Sequence, residues 1–108
     1  MTHAMHLNER PFEMIQSGKK TVELRLNDEK RRLIRVGDYI LFNGSLEVEV
    51  VALHVYHDFE GLYAAFPLSA LGYLPGEEAT ASPSDMLAYY TKEQIAKYGA
   101  LGIEIKLV

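Results

Sequence analysis

Residues 46–55, Leu-Glu-Val-Glu-Val-Val-Ala-Leu-His-Val, constrain the fold more than any other stretch. Leu46, Val48 and Val50 alternate with Glu47 and Glu49, the period-two pattern of a strand with one buried face. The phase then slips by one residue, and Val51, Leu53 and Val55 continue the apolar side. Such an offset turns every later side chain to the opposite face of the sheet. A β-bulge resolves the conflict, and it bends the strand as a barrel sheet requires. The sheet is expected to curl.

The surrounding chain supplies partners for this strand. Asn43-Gly44 predicts a type I′ hairpin to a strand over Tyr39–Phe42, entered through the turn Val36-Gly37-Asp38. A short first strand is predicted over Ala4–Asn8. A helix over residues 9–17 follows, with Asn8 as N-cap, Pro11 in the tolerated first turn and Gly18 as its stop. Phe59 to Phe66 predicts a second helix, ended by Pro67, before a turn at Gly72 and a loop over residues 76–81. Ser82-Pro83-Ser84-Asp85 and Thr91-Lys92-Glu93-Gln94 both carry helix-start chemistry, and Gly99 closes the second of these helices. Leu101 to Leu107 alternates as a last strand. The reading is α+β: a small mixed β-barrel of about five strands flanked by short helices, in one domain over residues 1–108.

One segment concentrates chemistry. Gly18-Lys19-Lys20-Thr21-Val22-Glu23-Leu24-Arg25 brings a lysine, a carboxylate and an arginine together directly after the helix stop. Thr21, Glu23 and Arg25 share one face of the predicted strand, while Val22, Leu24 and Leu26 take the other. Within the strand Lys20 would face away from Glu23, so it is expected in the preceding turn, at the lip of a cleft whose floor holds Glu23. Lys20 and Glu23 can exchange protons if partly desolvated, and Arg25 offers a planar fork to a phosphate or a carbonyl. The competing reading is an exposed Lys–Glu–Arg cluster that only orients a strand.

Charge narrows the choice of ligand. The net charge is −4, yet residues 18–36 carry seven basic and three acidic groups. A local basic segment on an acidic body suits one phosphate or a short strand and argues against a broad duplex-binding surface. The run Lys30-Arg31-Arg32 reads equally as a solvated turn. Cysteine is absent, which removes disulfides and thiolate chemistry. His54 and His57 fall on opposite strand faces and no third ligand is spaced for zinc, so no metal or cofactor is expected. No apolar run approaches membrane-spanning length and no basic-then-apolar leader is evident, which predicts a cytoplasmic protein without membrane contact.

The pattern G-x-K-x-x-E-x-R, met by Gly18, Lys20, Glu23 and Arg25, resembles the signature of the ASCH family, a branch of the PUA-like β-barrels. The likeness extends to Pro11-Phe12, Val36-Gly37-Asp38, Tyr89-Tyr90, Tyr98-Gly99 and Leu101-Gly102-Ile103. It implies a PUA-like barrel whose cleft holds RNA, a nucleotide or a nucleoside, with Tyr89, Tyr90 and Tyr98 near the motif. One branch of the family removes the acetyl group of N4-acetylcytidine, using the motif lysine, a threonine at the position of Glu23 and a further glutamate before the last helix. Here Glu23 replaces that threonine, and Glu77 and Glu78 are loose counterparts of the further acid. Other ASCH-like proteins act as ribonucleases, which a Lys20–Glu23 pair suits better.

Three readings stay open on the sequence. In the first, Lys20, Thr21, Glu23, Arg25, Tyr89, Tyr90 and Tyr98 line a cleft for RNA or a nucleotide, the tyrosines as stacking faces or as core residues. In the second, Lys20 and Glu23 are catalytic groups of a hydrolase acting on a modified nucleoside or on RNA. In the third, the motif is inert and the protein binds another protein.

Overall fold

The computed structural model describes residues 1–108 and contains five strands in one mixed sheet. They are β1 (Thr2–Met5), β2 (Val22–Leu26), β3 (Tyr39–Phe42), β4 (Leu46–Tyr56) and β5 (Ala100–Leu107). Their spatial order is β1-β3-β4-β5-β2, with β1 parallel to β3 and every other pair antiparallel. The sheet curls into a half-barrel, an α+β fold with short helices around it. These are α1 (Glu9–Gln16), α2 (Phe59–Ala65) and α3 (Lys92–Tyr98), with 3₁₀ turns at Arg31–Leu33 and Pro83–Ala88.

The expected bulge lies in β4, where the register with β5 shifts between Val50 and Ala52. Val51 is the extra residue and is exposed. Of the three residues expected to continue the apolar side, Leu53 alone packs on the core; Val51 and Val55 face solvent. The hairpin before β4 also forms as expected. Asn43 and Gly44 both adopt positive φ, 53° and 72°, and Ser45 N–H donates to Phe42 O at 3.0 Å.

β1 starts and ends earlier than its pattern suggests, because its parallel partner runs only from Thr2↔Tyr39 to Met5↔Phe42. Beyond Met5 the Asn43 side chain takes over the pairing. Its Oδ1 accepts Leu7 N–H at 2.8 Å, and its Nδ2 donates to Leu7 O at 3.0 Å. Asn8 stands at the N-cap of α1 in extended backbone but makes no side-chain cap.

β5 is buried on both faces over its first four residues, Ala100–Ile103, and there it divides two apolar layers. Leu101, Ile103 and Ile105 pack inward with Ile40, Phe42, Val48, Val50 and Ile15 of α1. Ala100 packs on the opposite side with Val22, Leu24 and Leu26 of β2 and with Phe59 and Leu62 of α2. The two capping boxes form, Ser82 with Asp85 and Thr91 with Gln94. They hold the chain from residue 82 to α3 against the second layer. The site lies between that layer and the open edge of the sheet.

Candidate functional site

β1 and β2 are the two free edges of the half-barrel. Backbone pairing does not join them. Instead Arg25 of β2 reaches across and its Nη2 donates to His6 O, just past β1, at 2.8 Å. A cleft of about 420 Å³ opens beside this contact. Its walls come from residues 6–14, from β2, and from the segments carrying Tyr63, Leu71–Tyr73 and Asp85–Tyr90.

The floor is ionic. Arg25 Nε donates to Glu23 Oε2 at 2.8 Å, and Lys20 Nζ lies 3.4 Å from Glu23 Oε1. Lys20 Nζ also donates to Leu71 O at 2.9 Å. Lys20 is 7% exposed and Glu23 4%, so Lys20 is on the floor beside Glu23 and not at the lip. Gly72 is the reason. Its φ is +104°, and a Cβ there would stand 3.0 Å from Lys20 Cδ, so only a glycine lets the backbone close over the lysine stem. Burial pushes the Lys20 ammonium below the ordinary lysine value, against the pull of Glu23. One carboxylate between two cations leaves the floor at +1, with donors of both cations uncommitted.

Turn and strand cooperate to build this floor. The N–H groups of Lys19 and Lys20 both close on Met14 O at the end of α1, which keeps Lys20 out of β2. β2 then places Glu23 and Arg25 opposite Ile103 and Leu101, on the face away from Val22 and Leu24.

The rim is aromatic and polar. Tyr89 is 64% exposed. Tyr90 lies nearly parallel to Phe59, ring centres 6.1 Å apart, and burial pushes its phenol up. Arg10 of α1 pairs with Glu77, which also accepts Leu74 N–H, so the mouth is bridged from α1 to the loop. Arg10 holds the Glu77 carboxyl below the usual carboxylate range. Tyr63, Tyr73 and Asp85 form a hydrogen-bonded chain at another part of the wall.

The cleft thus gathers Lys20, Glu23, Arg25, Tyr89 and Tyr90 from among the expected residues. Thr21 is exposed and lies outside it, beside Ile105, to which its carbonyl is bonded at 3.0 Å. Tyr98 ends α3 and packs on the second apolar layer, with Lys97 Nζ 5.1 Å from its ring centre. Glu77 lines the cleft and Glu78 does not. Arg10, Tyr63, Tyr73 and Asp85 escape a sequence reading. Asp85 was legible as a helix-start acid, but nothing local announces that its second partner is Tyr73.

Comparison with known proteins places the chain firmly. An ASCH domain family model matches residues 5–108. The crystal structure of the hypothetical protein PH0355 is 36% identical over the whole of both chains, with a TM-score of 0.88. The solution structure of protein PF0455 from Pyrococcus furiosus is 37% identical, with a TM-score of 0.79, over all of this chain and 98% of that one. No curated protein matches the chain.

Proposed function

The chain belongs to the ASCH domain family, and from that premise we propose that its cleft binds a nucleotide, free or as an exposed unit of an RNA. The observation that carries this reading is the buried Lys20–Glu23–Arg25 floor beneath an open, half-apolar cleft. Removing three charges from water is costly, and a purely structural role is served as well by apolar side chains. At the bottom of a cleft, the surplus positive charge has an object. It meets a phosphate, a carbonyl or a ring nitrogen. The cleft volume of about 420 Å³ falls within the range for small-ligand sites and holds one nucleoside unit. Tyr89 at the rim supplies an exposed ring face on which a base stacks, a contact worth about 1–3 kcal/mol.

The test is a heteronuclear NMR titration with nucleoside monophosphates and a short single-stranded RNA. Residues 20–25 and 89–90 should shift together, and Lys20→Ala and Arg25→Ala should weaken binding while the spectra stay dispersed. Unchanged affinity in both variants overturns the reading.

The depressed Lys20 supports a second reading, hydrolysis of a modified nucleoside, since burial makes this ammonium a readier proton donor than an exposed lysine. Glu23 is then the group that orients Lys20, because both its oxygens are engaged by cations. Incubation with N4-acetylcytidine decides between them. Cytidine release that vanishes in Lys20→Ala selects the hydrolase, and binding without release selects the binding module.

A further inference from the structure

The second polar group of the cleft has a fixed direction. Tyr63 Oη and Tyr73 Oη are 2.7 Å apart, and Tyr73 Oη is 2.7 Å from Asp85 Oδ2. The same carboxylate oxygen accepts Ser82 N–H at 3.2 Å. An ionised carboxylate only accepts, so the single Tyr73 proton goes to Asp85. Tyr73 must then accept from Tyr63, whose own single proton is consumed in turn. Burial pushes both phenols up, which keeps them protonated and the order intact at neutral pH. No hydroxyl proton remains for a ligand. What this wall offers is lone pairs alone.

The floor has the opposite character. Lys20 has three donors and spends two, on Leu71 O and Glu23; Arg25 has five and spends one from Nε and one from Nη2. The cleft is therefore polarised, with surplus donors at the floor and acceptors alone at Tyr63–Tyr73–Asp85.

Resting on the nucleotide reading of the cleft, we infer that the Tyr63–Tyr73–Asp85 chain is a specificity element that selects a ligand carrying a hydrogen-bond donor. For a nucleobase that donor is an exocyclic amino group. A keto oxygen in the same place faces lone pairs and leaves acceptors on both sides unpaired, which is the expensive case for a polar contact. The ligand's own acceptors, carbonyl or phosphate, then fall to Lys20 and Arg25.

Two pairs of probes have matched shape and opposite edge polarity: cytidine and uridine monophosphates, and adenosine and inosine monophosphates. Calorimetric or NMR titration of the protein should give the amino member of at least one pair an advantage of about tenfold. Tyr73→Phe removes the acceptor of the Tyr63 proton and sets that proton free to donate. The amino preference should then fall to parity or invert toward the keto member. Tyr63→Phe leaves Tyr73 donating to Asp85, so it should weaken the amino member and spare the keto member. Both variants keep the aromatic ring, and Asp85 with its helix-start bond to Ser82 is untouched.

Equal affinity in both wild-type pairs, a keto preference, or an amino preference unchanged in Tyr73→Phe overturns the inference. Binding that is lost in Lys20→Ala yet shows no amino preference overturns it alone and leaves the nucleotide site standing. Absence of binding by all four probes overturns the inference, and absence of binding by the short single-stranded RNA as well overturns the nucleotide reading with it.

Discussion

At the scale of single residues, Lys20 is the most informative side chain. It is a buried cation whose partner, Glu23, is shared with Arg25. Removing that partner strands two cations, so Glu23→Ala should cost about 3–5 kcal/mol in urea unfolding. The Lys20 shift has a pH consequence with a definite sign. Its folded-state value lies below the 10.5 of the unfolded chain, so the folded protein binds fewer protons between those values. The charged lysine works against folding below its folded-state value, and the penalty is lifted as pH rises toward 10.5. Relative to Lys20→Met, wild-type stability should therefore climb across that alkaline window in parallel melts. Gly72 acts on the same side chain from outside. A Cβ at φ +104° and 3.0 Å from Lys20 Cδ makes Gly72→Ala destabilising by about 1–2 kcal/mol, with loss of ligand affinity as Lys20 is displaced. An affinity unchanged in this variant would mean that the lysine position does not matter.

At the scale of elements, the joints are polar. Asp38, at the entry to β3, accepts from Arg35 N–H at 3.0 Å and pairs with His3 of β1 at 2.8 Å. The His3 bond is the main cause that lowers Asp38 from 3.8 to about 2. This contribution to stability is whole above pH 3.8 and is lost as pH falls through about 2. Asp38→Asn should flatten that acid limb of the stability curve. The elements themselves were largely legible. The β4 slip, the Asn43-Gly44 turn and the capping boxes at Ser82 and Thr91 are local chemistry, fixed by residues within a few positions of one another. The early start of β1 was not, because a strand in a parallel pair ends where its partner ends. Val55 reads apolar and lies exposed although it shares the face of Leu53 beyond the bulge: alternation gives the side of a strand, and only the packing over that side decides burial.

At the scale of the molecule, the half-barrel is left open between β1 and β2, and the cleft occupies that opening. An acidic body of net charge −4 with one small cationic floor predicts few phosphate contacts. Affinity for a single-stranded RNA should fall with salt at a logarithmic slope of only about −0.7 to −1.4, that of one or two phosphates. A much steeper slope, measured by fluorescence anisotropy over a salt series, would indicate a wider RNA track than this cleft. No helix is long and apolar enough to cross a membrane.

Local spacing is enough for the helices, for the strands other than the bounds of β1, for the curl of the sheet and for the Lys20–Glu23–Arg25 grouping. Each of these is written in spacing: a period of two, a one-residue slip, a turn residue before a strand. Tertiary structure alone decided that Lys20 is buried, that Tyr89 and Tyr90 reach the cleft while Thr21 and Tyr98 do not, and that Tyr63, Tyr73 and Asp85 meet. Those facts depend on where segments far apart in the chain fold back upon β2. Gly72 covers Lys20 from a loop some fifty residues away, a separation of 51 for the Lys20–Leu71 bond beside it. Alternation tells which side of a strand a residue takes; only packing tells what is waiting there.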